Sequence, residues 1–184
     1  MIIKNYTQSG FTLLETMVAI AILLIAVVGP ISLIGNSLHQ IYYARDEMSA
    51  VNLAQEGIEA VRRVRDTNMI VRPSGGWDKD LKINKYYSVD STNMYIWSDG
   101  TASPSSFLIP CNGAGCNVAK PIFIDPTTGL YRQNAAGAPT QFSRVVDINQ
   151  VAINEYTVTC TVTWTTGGQT GSVVVSENIF NWAS

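Results

Sequence analysis

Hydrophobic positions at the start of the chain follow no alternation at all. In "SGFTLLETMVAIAILLIAVVGPISLIG", Ser9 to Gly35, apolar residues fill nearly every site, and no charged residue stands between Glu15 and His39. That interval exceeds the ~20 residues a helix needs to cross a bilayer. A cleaved secretory signal has an apolar region of only about 7–15 residues, closed by small residues at a cleavage site. The run here is longer and passes straight into an amphipathic pattern. It therefore predicts a retained, single-pass membrane helix with a cytoplasmic N-terminus. Lys4 and the amino terminus are the only positive charges ahead of it. Two residues within the stretch are costly there: the carboxylate Glu15 and the helix-disrupting Pro30.

From Leu38 to Asp66 the pattern changes. Ile41, Ala44, Met48, Val51, Ala54, Ile58, Val61 and Val64 recur at steps of three and four. Arg45, Glu47, Glu56, Glu59, Arg63 and Asp66 take much of the remaining circumference, as on a helix packed along one side. The two runs share a phase and predict one helix from about Phe11 to Asp66, stopped by Pro73 and the Gly75-Gly76 pair. Its membrane half is 11–38 and its amphipathic half 39–66.

Beyond it, 67–184 reads as a β-rich extracytoplasmic domain. "YYSVDSTNMYIW", "KPIFIDPTTGLYRQ" with a turn at 126–129, and "FSRVVDIN" are expected strands. In "YTVTCTVTW", Tyr156, Val158, Cys160, Val162 and Trp164 face one way and four threonines the other, the period-two signature of a half-buried strand. "TTGGQTG" then turns the chain into "SVVVSENIFNW" as its partner. Gly, Ser and Pro from Ser98 to Asn117 predict an exposed loop. The expected class is α+β, an antiparallel sheet whose apolar face packs on the amphipathic half of the helix.

Charge alters this picture little. Twelve Lys and Arg against fourteen Asp and Glu give a formal net charge of −2, which argues against broad binding to nucleic acid. Seven basic residues cluster from Arg62 to Lys85 against three acids, and the pattern suits a solvated helix end. Candidate chemistry is equally sparse. His39 is the sole histidine, so a His-dependent triad in the soluble domain is excluded and a zinc site is not expected. Asp99 and Asp125 lie in turns, where aspartate serves local hydrogen bonding, and no EF-hand spacing or phosphate-binding glycine loop occurs. No catalysis, cofactor or metal is expected. Cys111 and Cys116 bracket "NGAG" within disulfide reach, while Cys160 reads as a buried small hydrophobe. Three cysteines leave one unpaired, and a bond from Cys160 to either of the others stays open.

The sequence "GFTLLE" together with the apolar run resembles the N-terminal motif of type IV pilins and type II secretion pseudopilins. Residues Gly10, Phe11, Thr12 and Glu15 carry the resemblance. "NLAQEGIEAVRRVRD", "FIDPTTGLYRQ" and the paired strands at the C-terminus are similar to stretches of PilV-like minor pilins and I-type minor pseudopilins. The resemblance implies that 1–10 is a prepilin leader, cut between Gly10 and Phe11 by a prepilin peptidase, with N-methylation of Phe11. It implies assembly with other pilin subunits through the helix, by way of inner-membrane lipid and a pilus or secretion machinery, into a cell-surface filament. In such families the carboxylate corresponding to Glu15 pairs with the terminal amine of a neighbour, and the segment around a proline such as Pro30 loses helicity on assembly. Read from the residues alone, Glu15 also serves as a helix-start acid beside Thr12, and Pro30 as an ordinary kink. The expected role is a minor subunit of a type IV pilus. A pseudopilin of a type II secretion or DNA-uptake system and a non-polymerising single-span surface binder are the alternatives.

Overall fold

The computed structural model describes residues 10, 12–71, 76–94, 107–112, 115–134 and 137–182. The chain divides into two units, 1–42 and 43–184. Helix α1 spans Leu13–Val71, past the expected end at Asp66. Within the first unit its apolar side chains stand free: Leu14, Ile20, Leu24, Val28 and Ile34 each keep more than half their surface exposed. The helix contains a window long and apolar enough to cross a membrane, none of it buried by the protein itself.

In the second unit, seven strands form one antiparallel sheet among the described residues. They are β1 (Lys85–Val89), β2 (Leu108–Pro110), β3 (Lys120–Ile124), β4 (Tyr131–Arg132), β5 (Ala138–Ala152), β6 (Glu155–Thr166) and β7 (Gln169–Phe180). A single helical turn, α2 (Ser91–Met94), follows β1. Strand β5 is the spine. One of its edges pairs with β6, and the other is shared by β3 along its first half and β1 along its second. Strands β5, β6 and β7 form a meander. Its second turn is Gly167-Gly168, with φ of 57° and 85°. A two-residue hairpin turn needs positive φ at both central positions, and glycine adopts them without steric cost.

The alternation expected for β6 is what forms: Tyr156, Val158, Cys160, Val162 and Trp164 are buried. Phe142, Arg144, Val146 and Ile148 of β5 lie on the same inner face, with Tyr87, Val89, Leu108, Ile122 and Ile179 of the other strands. The helix meets this face through a stripe of mostly small residues. Ala50, Ala54, Ala60, Val61 and Val64 are fully buried, and Leu53 and Ile58 nearly so. Gly57 sits at the closest approach, where an added Cβ would lie 2.7 Å from Cys160 Sγ and 3.1 Å from Val146 Cγ2.

Three expectations are corrected here. Of the predicted apolar face of α1, Ala54, Ile58, Val61 and Val64 are buried, but Ile41 and Met48 are 61% and 70% exposed and Ala44 is exposed too, so the contact with the sheet begins later along the helix than predicted. Ala50 and Gly57 join that face, because a helix lying close on a sheet needs small residues at the contact line. The expected strand through "YYSVDSTNMYIW" ends at Val89. Asp90 then accepts hydrogen bonds from the Thr92 amide (3.1 Å) and hydroxyl and turns the chain into α2, a local side-chain device that competes with a sheet ladder. Residues 95–97 lie outside the described ones. In the expected loop 98–117, Leu108–Pro110 instead pairs with β1 as Tyr87↔Pro110 and Val89↔Leu108, and Phe107 is fully buried. The apolar triplet Phe107-Leu108-Ile109 outweighs the Gly- and Ser-rich composition around it.

Candidate functional site

The residues singled out from sequence fall at the start of α1. Thr12 caps the helix: its Oγ1 accepts from the Glu15 amide at 3.3 Å, and its carbonyl accepts from the Glu15 and Thr16 amides at 3.1 and 3.2 Å. Glu15 therefore occupies the third helical position, where a carboxylate is favoured by the unpaired amides and the dipole. Its side chain is exposed. Gly10 is exposed with open space around its α-carbon. Phe11 and residues 1–9 lie outside the described residues. Helix α1 runs through Pro30 without a break in this single chain.

A second group of polar residues, none of them singled out from sequence, locks α1 onto the sheet. Arg144 is completely buried on the inner face of β5. Its Nη1 donates to the Leu53 carbonyl (2.9 Å) and to Glu56 Oε2 (2.8 Å), both on α1. Nη2 donates to the Val89 carbonyl of β1 (3.2 Å), and Nε donates to Gln133 Oε1 (3.1 Å). The Gln133 amide in turn donates to the carbonyls of Lys120 (3.1 Å) and Arg144 (2.7 Å), while its oxygen also accepts the Val89 amide (2.9 Å). One guanidinium thus ties the helix to β5, to β1 and to Gln133 just past β4. A buried charge is tolerated only when paired and hydrogen-bonded in this way. Its signal was present in the alternation Phe142, Arg144, Val146, Ile148, whose phase puts an arginine inside.

Asp46, 3% exposed, does comparable work nearer the start of this unit. The Thr166 hydroxyl donates to its Oδ2 at 2.6 Å, and Arg45 contacts Oδ1 at 3.1 Å. Burial raises its pKa, but hydrogen bonds from Thr166, Gln141 and Arg45 outweigh this and hold the carboxyl below its ordinary value. Tyr43 packs its ring on Trp164 with centroids 5.7 Å apart. Towards the other end of the helix, Tyr156 stacks on Trp77 and donates to Asp78, and burial with that contact raises its pKa. Cys111 and Cys116 are disulfide-bonded with α-carbons 5.5 Å apart, and Cys160 is a buried free thiol, which closes the alternatives left open by sequence. Burial pushes the Cys160 pKa up to about 11. Asp125 accepts the Thr127 and Thr128 amides (2.8 and 3.2 Å) and Arg132 Nη1 (2.9 Å), and these lower its pKa. Among the described residues no group of three His, Cys, Asp or Glu side chains is placed to hold a metal.

The arrangement is a capped, uncovered apolar helix that continues into a domain where the buried Arg144 and Asp46 hold helix and sheet together. Residues 5–29 match the family model described as the prokaryotic N-terminal methylation motif. The motif indicates a type IV pilin-like or pseudopilin protein. Neither curated proteins nor solved structures yield a match to it. The matched segment takes in Gly10, Phe11, Glu15 and Gly29, and it ends one residue before Pro30. It does not extend to 52–66, 123–133 or the C-terminal strands, and so says nothing of a PilV-like subtype. A pilin-like protein of this kind is processed by prepilin peptidase and associates with other pilin subunits, in a structural rather than enzymatic role. The motif and the apolar helix together indicate anchoring in the inner membrane.

Proposed function

We propose that this pilin-like chain is a minor structural subunit of a type IV pilus, without catalytic activity of its own. The observation that carries the reading is the methylation motif on a capped apolar helix that the protein itself leaves uncovered. In this reading residues 1–10 are removed on the cytoplasmic side, Phe11 is methylated, and the β-rich domain 67–184 stands outside the cytoplasm on the amphipathic stretch 39–66. The apolar stretch 11–38 leaves the bilayer to pack among its equivalents in a filament at the cell surface, with the assembly machinery supplying the transfer. Glu15 pairs with the cationic α-amine that cleavage creates on Phe11 of a neighbouring subunit. Each charge in lipid then meets its opposite only when the two helices are in axial register. Pro30 marks where helical hydrogen bonding is weakest, and so where the helix adjusts on assembly.

The test is the mature N-terminal mass of the chain expressed with and without a prepilin peptidase. Loss of ten residues and gain of a methyl group only with the peptidase supports the reading, and an intact leader in its presence rejects it. Glu15→Ala should be cleaved normally at Gly10 yet enter filaments poorly. Normal incorporation would remove the amine-pairing role. Pull-down with pilus minor subunits rather than a secretion-system pseudopilin set distinguishes the pilus from a pseudopilus. Processing without entry into either assembly leaves a single-span surface protein.

A further inference from the structure

We infer that β7 is a docking edge for an extended segment of a partner protein, which adds to the sheet as an eighth strand. Among the described residues, strand β7 pairs with β6 alone. Its register is unbroken from Gln169 opposite Thr166 to Phe180 opposite Glu155, so a long row of backbone donors and acceptors faces outward along one straight edge. Sheet proteins normally blunt such an edge with proline, lysine, a bulge or an inward charge. The β7 sequence "QTGSVVVSENIF" contains no proline and no lysine, and the ladder shows no bulge. Its only charge, Glu177, faces inward but is already paired with Arg62 of α1 at 2.5 Å, which leaves it little power to repel an added strand.

The inner side of this edge is unfinished. Val173 and Val175 pack against the core but are only partly buried. Beside them runs an open groove of about 500 Å³ between β7 and α1, lined by Ile58, Val175, Glu56, Glu59, Glu177 and Arg62. An added strand would place alternate side chains into this groove. One of them would complete the apolar contacts of Val175 and Ile58. The groove's charge defines the next. Glu56 is paired with Arg144, and Arg62 serves both Glu59 (2.6 Å) and Glu177, so the groove keeps one negative charge in excess. The partner segment therefore alternates apolar residues on its inward side and carries a lysine or arginine opposite Glu59 and Glu177. Backbone hydrogen bonds supply affinity, and the inward pockets supply selection. This surface is independent of which machine uses the chain.

The test uses the full chain in detergent micelles and a short synthetic peptide alternating threonine and valine, with one inward valine replaced by lysine. Two further peptides carry backbone N-methyl groups on alternate sets of residues, each set removing the donors of one edge. Binding followed by fluorescence polarisation should occur with one methylated peptide and fail with the other, because strand addition uses a single edge. Hydrogen exchange should slow at alternate amides of β7 and at none of β4. Glu59→Lys should weaken the lysine peptide on the order of tenfold, and replacing the peptide's lysine by glutamate should recover the loss. Binding of none of the peptides, equal binding of both methylated forms, or an effect of Glu59→Lys that the glutamate peptide fails to reverse would overturn the inference. Self-association of the chain through β7, detected by sedimentation, would give the edge to a second copy and overturn it as well.

Discussion

Replacing Gly57 by alanine separates two physical effects of opposite sign. In an open helix, alanine is more favourable than glycine by about 1 kcal/mol because it loses less backbone freedom. At Gly57 the new methyl would lie 2.7 Å from Cys160 Sγ and 3.1 Å from Val146 Cγ2, on residues of β6 and β5 that are themselves fully buried. Neither neighbour is the free end of a long side chain, so α1 must shift outward along its whole contact line. Overpacking of this kind costs about 1–3 kcal/mol. Set against the propensity gain, the net change is a loss of up to about 2 kcal/mol, or a few degrees in Tm for a domain of this size. The assay is thermal and urea unfolding of the full chain in detergent, followed by near-ultraviolet circular dichroism from Trp164 and Trp77. The companion variant Cys160→Ala removes the nearest atom. The double variant should therefore be more stable than the sum of the two single changes predicts, a coupling that arises only between residues in contact. A Gly57→Ala chain more stable than the parent by about 1 kcal/mol would refute the close approach of α1 to the sheet.

Arg144→Met should cost about 3–5 kcal/mol, because it strands Glu56, Gln133 and two backbone carbonyls in or near the core; chemical denaturation measures it. Asp46 has a folded pKa below its unfolded value, so its contribution is present above about pH 4 and lost as pH falls through the folded pKa. Asp46→Asn should accordingly show a flatter fall in Tm on acidification below about pH 4 than the parent. Cys160, with a thiol pKa near 11, should resist iodoacetamide at pH 8 in the folded chain and react at once in urea, with mass spectrometry reporting one label under non-reducing conditions. Removing the Cys111–Cys116 bond, which spans a sequence separation of 5, should cost about 2 kcal/mol by the chain-entropy relation for so short a loop.

Much of the fold is legible wherever burial follows a strict period. The alternation from Tyr156 to Trp164 and the double glycine after it specify the β6–β7 hairpin without help from the rest of the chain. The helix is equally plain, but not where along it the contact with the sheet begins. Ile41 and Met48 advertise an apolar face by their size yet stay exposed, while Ala50 and Gly57 on the contact line are underweighted by hydrophobic periodicity. Strand β2 escapes because three apolar residues are too few to rise above their polar surroundings. The motif around Gly10 and Glu15 is a local code, readable from adjacent residues. Arg144, Gln133 and Asp46 are different in kind. Their meaning depends on partners far along the chain, such as Glu56 and Leu53 for Arg144, and no local window contains both ends of those bonds.

That separation has a kinetic consequence. The bonds from Arg144 to Glu56 and Leu53 close loops of 88 and 91 residues. A chain emerging N-terminus first presents the small-residue stripe of α1 long before β5 arrives to cover it. The β5–β6–β7 meander, by contrast, pairs neighbours in sequence and closes quickly once formed. Local closure is fast and distant closure slow. Folding of this domain is therefore late and abrupt: the stripe waits uncovered until the last quarter of the chain has appeared, and then the helix and the meander dock together. During that interval the protein's exposure to proteases and to premature association is set by how fast the rest of the chain emerges, not by the stability of the finished fold.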